Sequence, residues 1–175
     1  MSVAVAIATI LFGGVISAVI TFALNARRDE RAFTRQKLES LYTSADRFTK
    51  YLAAHHIVYF ALVKGDLDLN QIFDVQQKSN TTAAEKPYEQ VELLIAIYFP
   101  GVRTAYDVLL EARETLSKLT AGFHRAYQTG TLDRTRDLQR LQDAMMQLDA
   151  ATEALMSSIA ALGKRVNSPL GAIWR

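Results

Sequence analysis

The first 25 residues of the chain carry no charged side chain, and seven ionisable side chains follow within the next twelve residues. Val3 to Leu24 is almost wholly apolar, and as a helix it spans about 33 Å, enough to cross a hydrocarbon core of about 30 Å. A core helix of a soluble domain normally carries a polar stripe, and none appears here before Asn25. The sequence therefore predicts a transmembrane anchor over residues 1–25.

The charges that follow the apolar segment predict its orientation. Five cations lie next to it, Arg27, Arg28, Arg31, Arg35 and Lys37, against the two acids Asp29 and Glu30. Because cytoplasmic flanks of membrane helices are enriched in Lys and Arg, we expect a single-pass protein of the inner (plasma) membrane. Its N-terminus would lie outside, with residues 26–175 in the cytoplasm. A cleaved signal peptide is less favoured, because such a peptide begins with positive charge.

Small residues within the predicted anchor mark a candidate packing face. Gly13, Gly14, Ser17 and Ala18 form two overlapping pairs of small residues spaced four apart. Such pairs allow membrane helices to approach closely, which predicts a lipid-embedded contact between copies of the chain. The alternative is that Gly and Ala are simply common in membrane helices.

The remaining 150 or so residues have the size of one domain. They hold all the charged residues, and Lys plus Arg exceeds Asp plus Glu by only two in the whole chain. A nucleic-acid-binding domain would carry a stronger basic excess, so no nucleic-acid partner is predicted. The chain has no cysteine, which excludes disulfides, thiolate catalysis and cysteine-ligated zinc.

Heptad spacing predicts long helices beyond the anchor. Residues 26–64 contain neither Pro nor Gly, and their apolar positions step by three and four. The predicted seam comprises Leu38, Leu41, Ala45, Phe48, Leu52, His55, Tyr59 and Leu62. Gly65 is expected to end this helix. Residues 65–84 are the least regular, with a short helix expected near Ile72 and an exposed loop over 76–84.

Two further heptad seams, over about 85–128 and 131–163, complete the predicted cytoplasmic bundle. Pro100 and Gly101 interrupt the first of them, and the absence of polar loop residues nearby favours one kinked helix over a reversal. The fold class predicted is all-α: a transmembrane helix continuing into an antiparallel bundle of three long helices, with a four-helix bundle as the alternative. Gly130 and Gly163 are expected to end the second and third helices. Residues 26–163 form the bundle and 164–175 a tail.

The sequence assembles no catalytic constellation. It lacks the His-Glu-x-x-His, P-loop and dinucleotide-binding patterns, so no enzyme activity, metal or cofactor is predicted. His55 falls on the predicted apolar seam, where a packed core histidine is the ordinary interpretation and a ligand or pH-sensitive role the alternative. Tyr98, Phe99 and Pro100 form a candidate partner site beside the interruption.

These patterns favour a non-enzymatic, membrane-anchored interaction or scaffold module. Its partners would be the lipid bilayer and either a second copy of the chain or another protein. The alternative is a small membrane-active effector, of lysis, toxin or phage-exclusion type, that oligomerises through its transmembrane helix.

Overall fold

The computed structural model describes the backbone of residues 3–81 and 87–167, and the side chains of residues 18–77 and 88–166. This part of the chain is all-helical, as predicted. Five α-helices follow one another: α1 (Val3–Lys64), α2 (Leu69–Thr81), α3 (Pro87–Tyr98), α4 (Arg103–Gln128) and α5 (Arg134–Asn167). A single 3₁₀ turn, Pro100–Val102, joins α3 to α4.

The helices run alternately along a common bundle. Phe48 of α1 contacts both Tyr88 of α3 and Tyr106 of α4, with ring centroids 6.5 and 6.4 Å apart. Tyr98 at the end of α3 reaches back to Phe33, whereas His124 near the end of α4 meets Tyr59. Helix α3 is therefore antiparallel to α1, and α4 runs in the direction of α1.

Helix α5 closes the bundle by returning along α1. The guanidinium of Arg134 lies beside Gly65, and Leu38 packs beside Gly163 at the other end. We call the end near Phe33 the base of the bundle and the end near Gly65 its top. Helices α2 and α3 together form the descending segment that packs against α1, with α2 at the top.

The connection between α3 and α4 is a reversal. The two helices bend by 119° across Pro100, so the prediction of one kinked helix is wrong and the four-helix alternative places the break correctly. Proline disfavours a helical conformation at the preceding residue, and Phe99 has the non-helical angles φ −134° and ψ 54°. Phe99 and Val102 are both buried, so the corner is fixed by packing as well as by the proline.

Two further helix boundaries differ from the prediction. Helix α2 extends to Thr81 through part of the predicted loop, because Gln76 is buried against α1 and bonded there. Helix α5 passes through Gly163 to Asn167, since that glycine lies inside the contact with Leu38 and does not end the helix. The predicted ends at Gly65 and Gly130 are confirmed.

The core sits between the facing stripes of α1, α4 and α5, with α3 and α2 covering the remaining side. Its fully buried members include Leu41, Phe48, Leu62, Leu109 and Leu116. Helix α5 adds Leu141, Leu148, Leu155 and Ile159. The heptad seams are thus largely used inside one copy of the chain.

Over the described residues, no single helix is long and apolar enough to cross a membrane. One bent pair, Tyr88–Tyr98 with Pro100–Gln128, has the required length and composition only when the two helices are taken together. The side chains described begin at Ala18. Gly13, Gly14 and Ser17 of the predicted packing face lie outside them.

Candidate interaction surface

Helix α1 projects from the base of the bundle. Every side chain described from Ala18 to Phe33 is exposed, including the large apolar ones of Val19, Ile20, Phe22 and Leu24. The predicted basic residues Arg27, Arg28, Arg31 and Arg35 follow on the same helix, all exposed. The described part of the projection therefore changes from apolar to basic as it approaches the bundle.

An aromatic and cationic cluster lies where this projection meets the bundle. Phe33 and Tyr98 form an edge-to-face pair with ring centroids 5.9 Å apart. The Lys37 ammonium lies 5.2 Å from the centre of the Phe33 ring and 5.5 Å from that of Tyr98. Cation–π contacts of this length are attractive, so this basal cluster links α1 to α3.

The basal cluster joins two sets of residues that the sequence singled out separately. Lys37 belongs to the predicted basic segment and Tyr98 to the predicted partner site, and the structure places them in contact. Of the other predicted partner residues, Pro100 is exposed and Phe99 is buried in the core. Phe33 was not predicted, because its role depends on α3 returning to this end of the bundle.

Toward its C-terminal end, the outer face of α3 is apolar and is not covered by any described element. Leu93 and Ile97, one turn apart, are 55% and 60% exposed, and the exposed Ala96 lies between them. The opposite face of α3 supplies Val91, Leu94 and Ile95 to the core. A helix that is apolar on both faces normally has a second contact, so this outer face is a candidate docking surface.

A second site, near the top of the bundle, brings together all three histidines of the chain. The rings of His55 and His56 lie 4.9 Å apart, and the Tyr59 hydroxyl is 2.8 Å from Nε2 of His124. The side-chain amide of Gln76 donates to the Tyr59 oxygen at 3.4 Å and to the His55 carbonyl at 3.1 Å. We call these five residues the histidine cluster. It attaches α2 to α1 and α4.

His56, and not His55, occupies the core position that the sequence assigned to this turn. His56 is 3% exposed and its Nδ1 atom has no hydrogen-bond partner, whereas His55 is half-buried. The exchange is local, because the predicted seam positions on either side, Leu52 and Tyr59, are buried.

Burial keeps the histidine cluster neutral. It lowers the pKa of His56 to about 4, with smaller contributions from His55 and the Arg113 guanidinium. Burial and then Arg113 lower the pKa of His55, and burial lowers that of His124. A neutral His124 ring can accept a hydrogen bond from the Tyr59 hydroxyl. The Tyr59 oxygen is then free to accept a hydrogen bond from the Gln76 amide.

Among the described residues, no group of three or more His, Asp or Glu side chains has the geometry to hold a metal ion. A groove of about 410 Å³ between α4 and α5 contains Lys118 and Arg140. Both are paired, with Glu114 at 2.7 Å and Asp137 at 3.3 Å respectively.

Comparison with known proteins adds no assignment. No protein-family model, no curated protein and no solved structure matches this chain. Its function is therefore argued from the surfaces described above.

Proposed function

We propose that this protein is a membrane-anchored helical interaction module without catalytic activity. Residues 1–25 form the transmembrane anchor, the N-terminus lies outside, and the bundle is held at the cytoplasmic face of the inner membrane. The observation that carries the proposal is the projecting helix, whose described side chains are exposed, first apolar and then basic. In water such apolar side chains are unfavourable, and in a bilayer they are favourable.

We propose that the protein has no catalytic activity because its reactive side chains already make contacts within the fold. The three histidines pack in one cluster, the sequence has no cysteine, and the ionic groups beside the α4–α5 groove are paired. A site for chemistry would instead present converging groups at an open cavity.

The interaction is assigned to the outer face of α3, and the occupant we propose is a second copy of the chain. The heptad seams are largely buried within one copy, and Leu93 and Ile97 form an exposed apolar pair on a helix whose other face is already in the core. A shared membrane holds copies parallel and at high effective concentration. A twofold axis along the membrane normal would then pair the same face of each copy.

The test measures subunit number in the membrane. The full chain is reconstituted in vesicles, its resistance to alkaline extraction is determined, and copies per complex are counted by single-molecule photobleaching. We expect extraction-resistant dimers, and a shift to monomers in the variant Leu93→Gln/Ile97→Gln.

The matched control is Met146→Gln, which removes an apolar side chain that is 69% exposed on α5. It should leave the dimer intact. Extraction of the wild type by alkali would contradict the anchor. If Gly14→Leu abolishes the dimers and the α3 variant keeps them, copies of the chain associate through the anchor, as the membrane-active alternative requires.

A further inference from the structure

We infer that the base of the bundle docks on the headgroups of anionic lipids, so that the bundle has a second membrane contact besides its anchor. This inference rests on the proposed anchorage. The contact surface comprises the basal cluster, the exposed Pro100–Gly101 corner and the basic segment over residues 27–37. Its partner is the negatively charged surface of the bilayer.

Position along α1 supports this contact. From Leu24, the last residue of the apolar segment, to Phe33 is nine residues, or about 13 Å of helix. Headgroups occupy roughly 5–8 Å beyond the hydrocarbon core, and membrane helices tilt by about 20° on average. A tilt toward α3 therefore lowers the corner toward the headgroup layer.

The chemistry of the surface matches that layer. Five cations, Arg27, Arg28, Arg31, Arg35 and Lys37, lie on the segment with only two acids. Each Lys or Arg near an anionic surface favours binding by a factor of about five. Tyr98 supplies an aromatic ring of the kind enriched at membrane interfaces, and the exposed Phe33 packs against its edge.

The opposite end of the bundle lacks this combination. The turn after α4 carries Arg125, Arg134 and Arg136, but Asp133 and Asp137 lie among them, and Asp137 pairs with Arg136 and Arg140. The α4–α5 turn also lies at the top, beside Gly65. Within the described part of the chain, only the base combines a cationic excess with proximity to the apolar segment.

The test uses the absence of cysteine, which makes single-cysteine labelling specific. Gly101→Cys reports on the corner, where an added Cβ meets nothing within 4 Å. Gln128→Cys, exposed at the top, is the reference variant. The full chain is placed in vesicles of neutral phosphatidylcholine, or of the same lipid mixed with phosphatidylglycerol, and reacted with an uncharged maleimide–polyethylene glycol.

We expect anionic lipid to slow labelling of the Gly101→Cys variant by about fivefold or more and to leave labelling of Gln128→Cys unchanged. High salt should restore the rate, because surface charge is screened. Adding Arg35→Gln/Lys37→Gln should abolish the protection. Adding Lys64→Gln/Arg125→Gln instead, which removes the same charge from the top of the bundle, should leave the protection unchanged.

Flotation with neutral vesicles separates the two proposals. A chain that fails to float has no anchor, and both proposals fall. A chain that floats but labels at position 101 as fast as at position 128 in both lipids keeps its anchor and overturns the docking. Labelling that is slower at position 101 than at position 128, by the same factor in neutral and anionic vesicles, also overturns it and assigns the corner to contact between copies of the chain.

Discussion

The His56 imidazole is enclosed by the core with its Nδ1 atom unpartnered, and burial holds its pKa near 4. A buried polar atom without a partner is unfavourable, and a buried charge is more so. The neighbouring groups that lower this pKa further are cationic or become so, namely His55 on α1 and Arg113 on α4. Groups on both α1 and α4 therefore disfavour protonation of His56.

Acid should destabilise the protein through this residue. Because the pKa of His56 is lower in the folded chain than its ordinary value of 6.5, the unfolded chain binds the proton more tightly. The contribution of neutral His56 is fully present above pH 6.5 and is lost as the pH falls toward 4, by an amount on the order of 3 kcal/mol. Thermal unfolding followed by circular dichroism, at pH values across this window, measures the loss.

His56→Phe removes the titrating group and the unpartnered atom and keeps an aromatic ring in the core. Its unfolding temperature should vary less with pH than that of the wild type, and should not be lower at neutral pH. His55→Gln, at the half-buried neighbour, is the comparison and should retain most of the acid sensitivity. An unchanged pH profile in His56→Phe would contradict the assignment.

At the scale of the element, the helix ends depend on two glycines with positive φ. Gly65 has φ +87° and its amide donates to the carbonyls of Ala61 and Leu62, while the next amide, that of Asp66, also bonds to Ala61. Gly130 has φ +67° and a corresponding set of bonds follows α4. These are C-terminal caps in which any side chain is strained.

Alanine at either glycine should destabilise the fold, and the two losses should be similar. Left-handed backbone costs an L-residue about 1–2 kcal/mol at each site. At Gly65 the new Cβ would also lie 2.5 Å from Nη2 of Arg134, but this is the far end of an exposed, flexible side chain that can move aside, and at Gly130 nothing lies within 4 Å. Urea unfolding of both variants measures the two losses. A much larger loss in Gly65→Ala would mean that the Arg134 side chain is held in place.

These caps show which helix ends can be predicted from the local sequence and which cannot. Gly65 and Gly130 follow uninterrupted helical patterns and were identified from the sequence. Gly163 has the same appearance, but its place against Leu38 depends on a distant part of the chain. Likewise, the polar run after Val75 resembles a loop, and its helical conformation is supported by the contact of Gln76 with α1.

At the scale of the molecule, local periodicity predicts the helices but does not determine their arrangement. The seams of α1, α4 and α5 were predicted largely correctly, since burial repeats within each helix. The reversal at Pro100 was not, because a proline permits a kink or a turn and long-range packing of Phe99 and Val102 decides between them. That decision also places the candidate surface, since only a reversal brings Tyr98 to Phe33 and Lys37.

The arrangement of the helices, with a reversal at Pro100, can be tested by a distance measurement that needs no membrane. Spin labels at Gln36→Cys and Gly101→Cys should be close, because both positions lie at the base beside the basal cluster. Labels at Gln36→Cys and Thr131→Cys should be about 40 Å apart, because roughly 28 residues of α1 at 1.5 Å each separate base from top. One kinked helix returning to the base would reverse the order of these two distances. Double electron–electron resonance on the two pairs, with singly labelled chains as the control for contacts between copies, therefore distinguishes the arrangements directly. A short distance from Gln36 to Thr131 would remove the basal cluster, and with it the surface from which lipid docking is inferred.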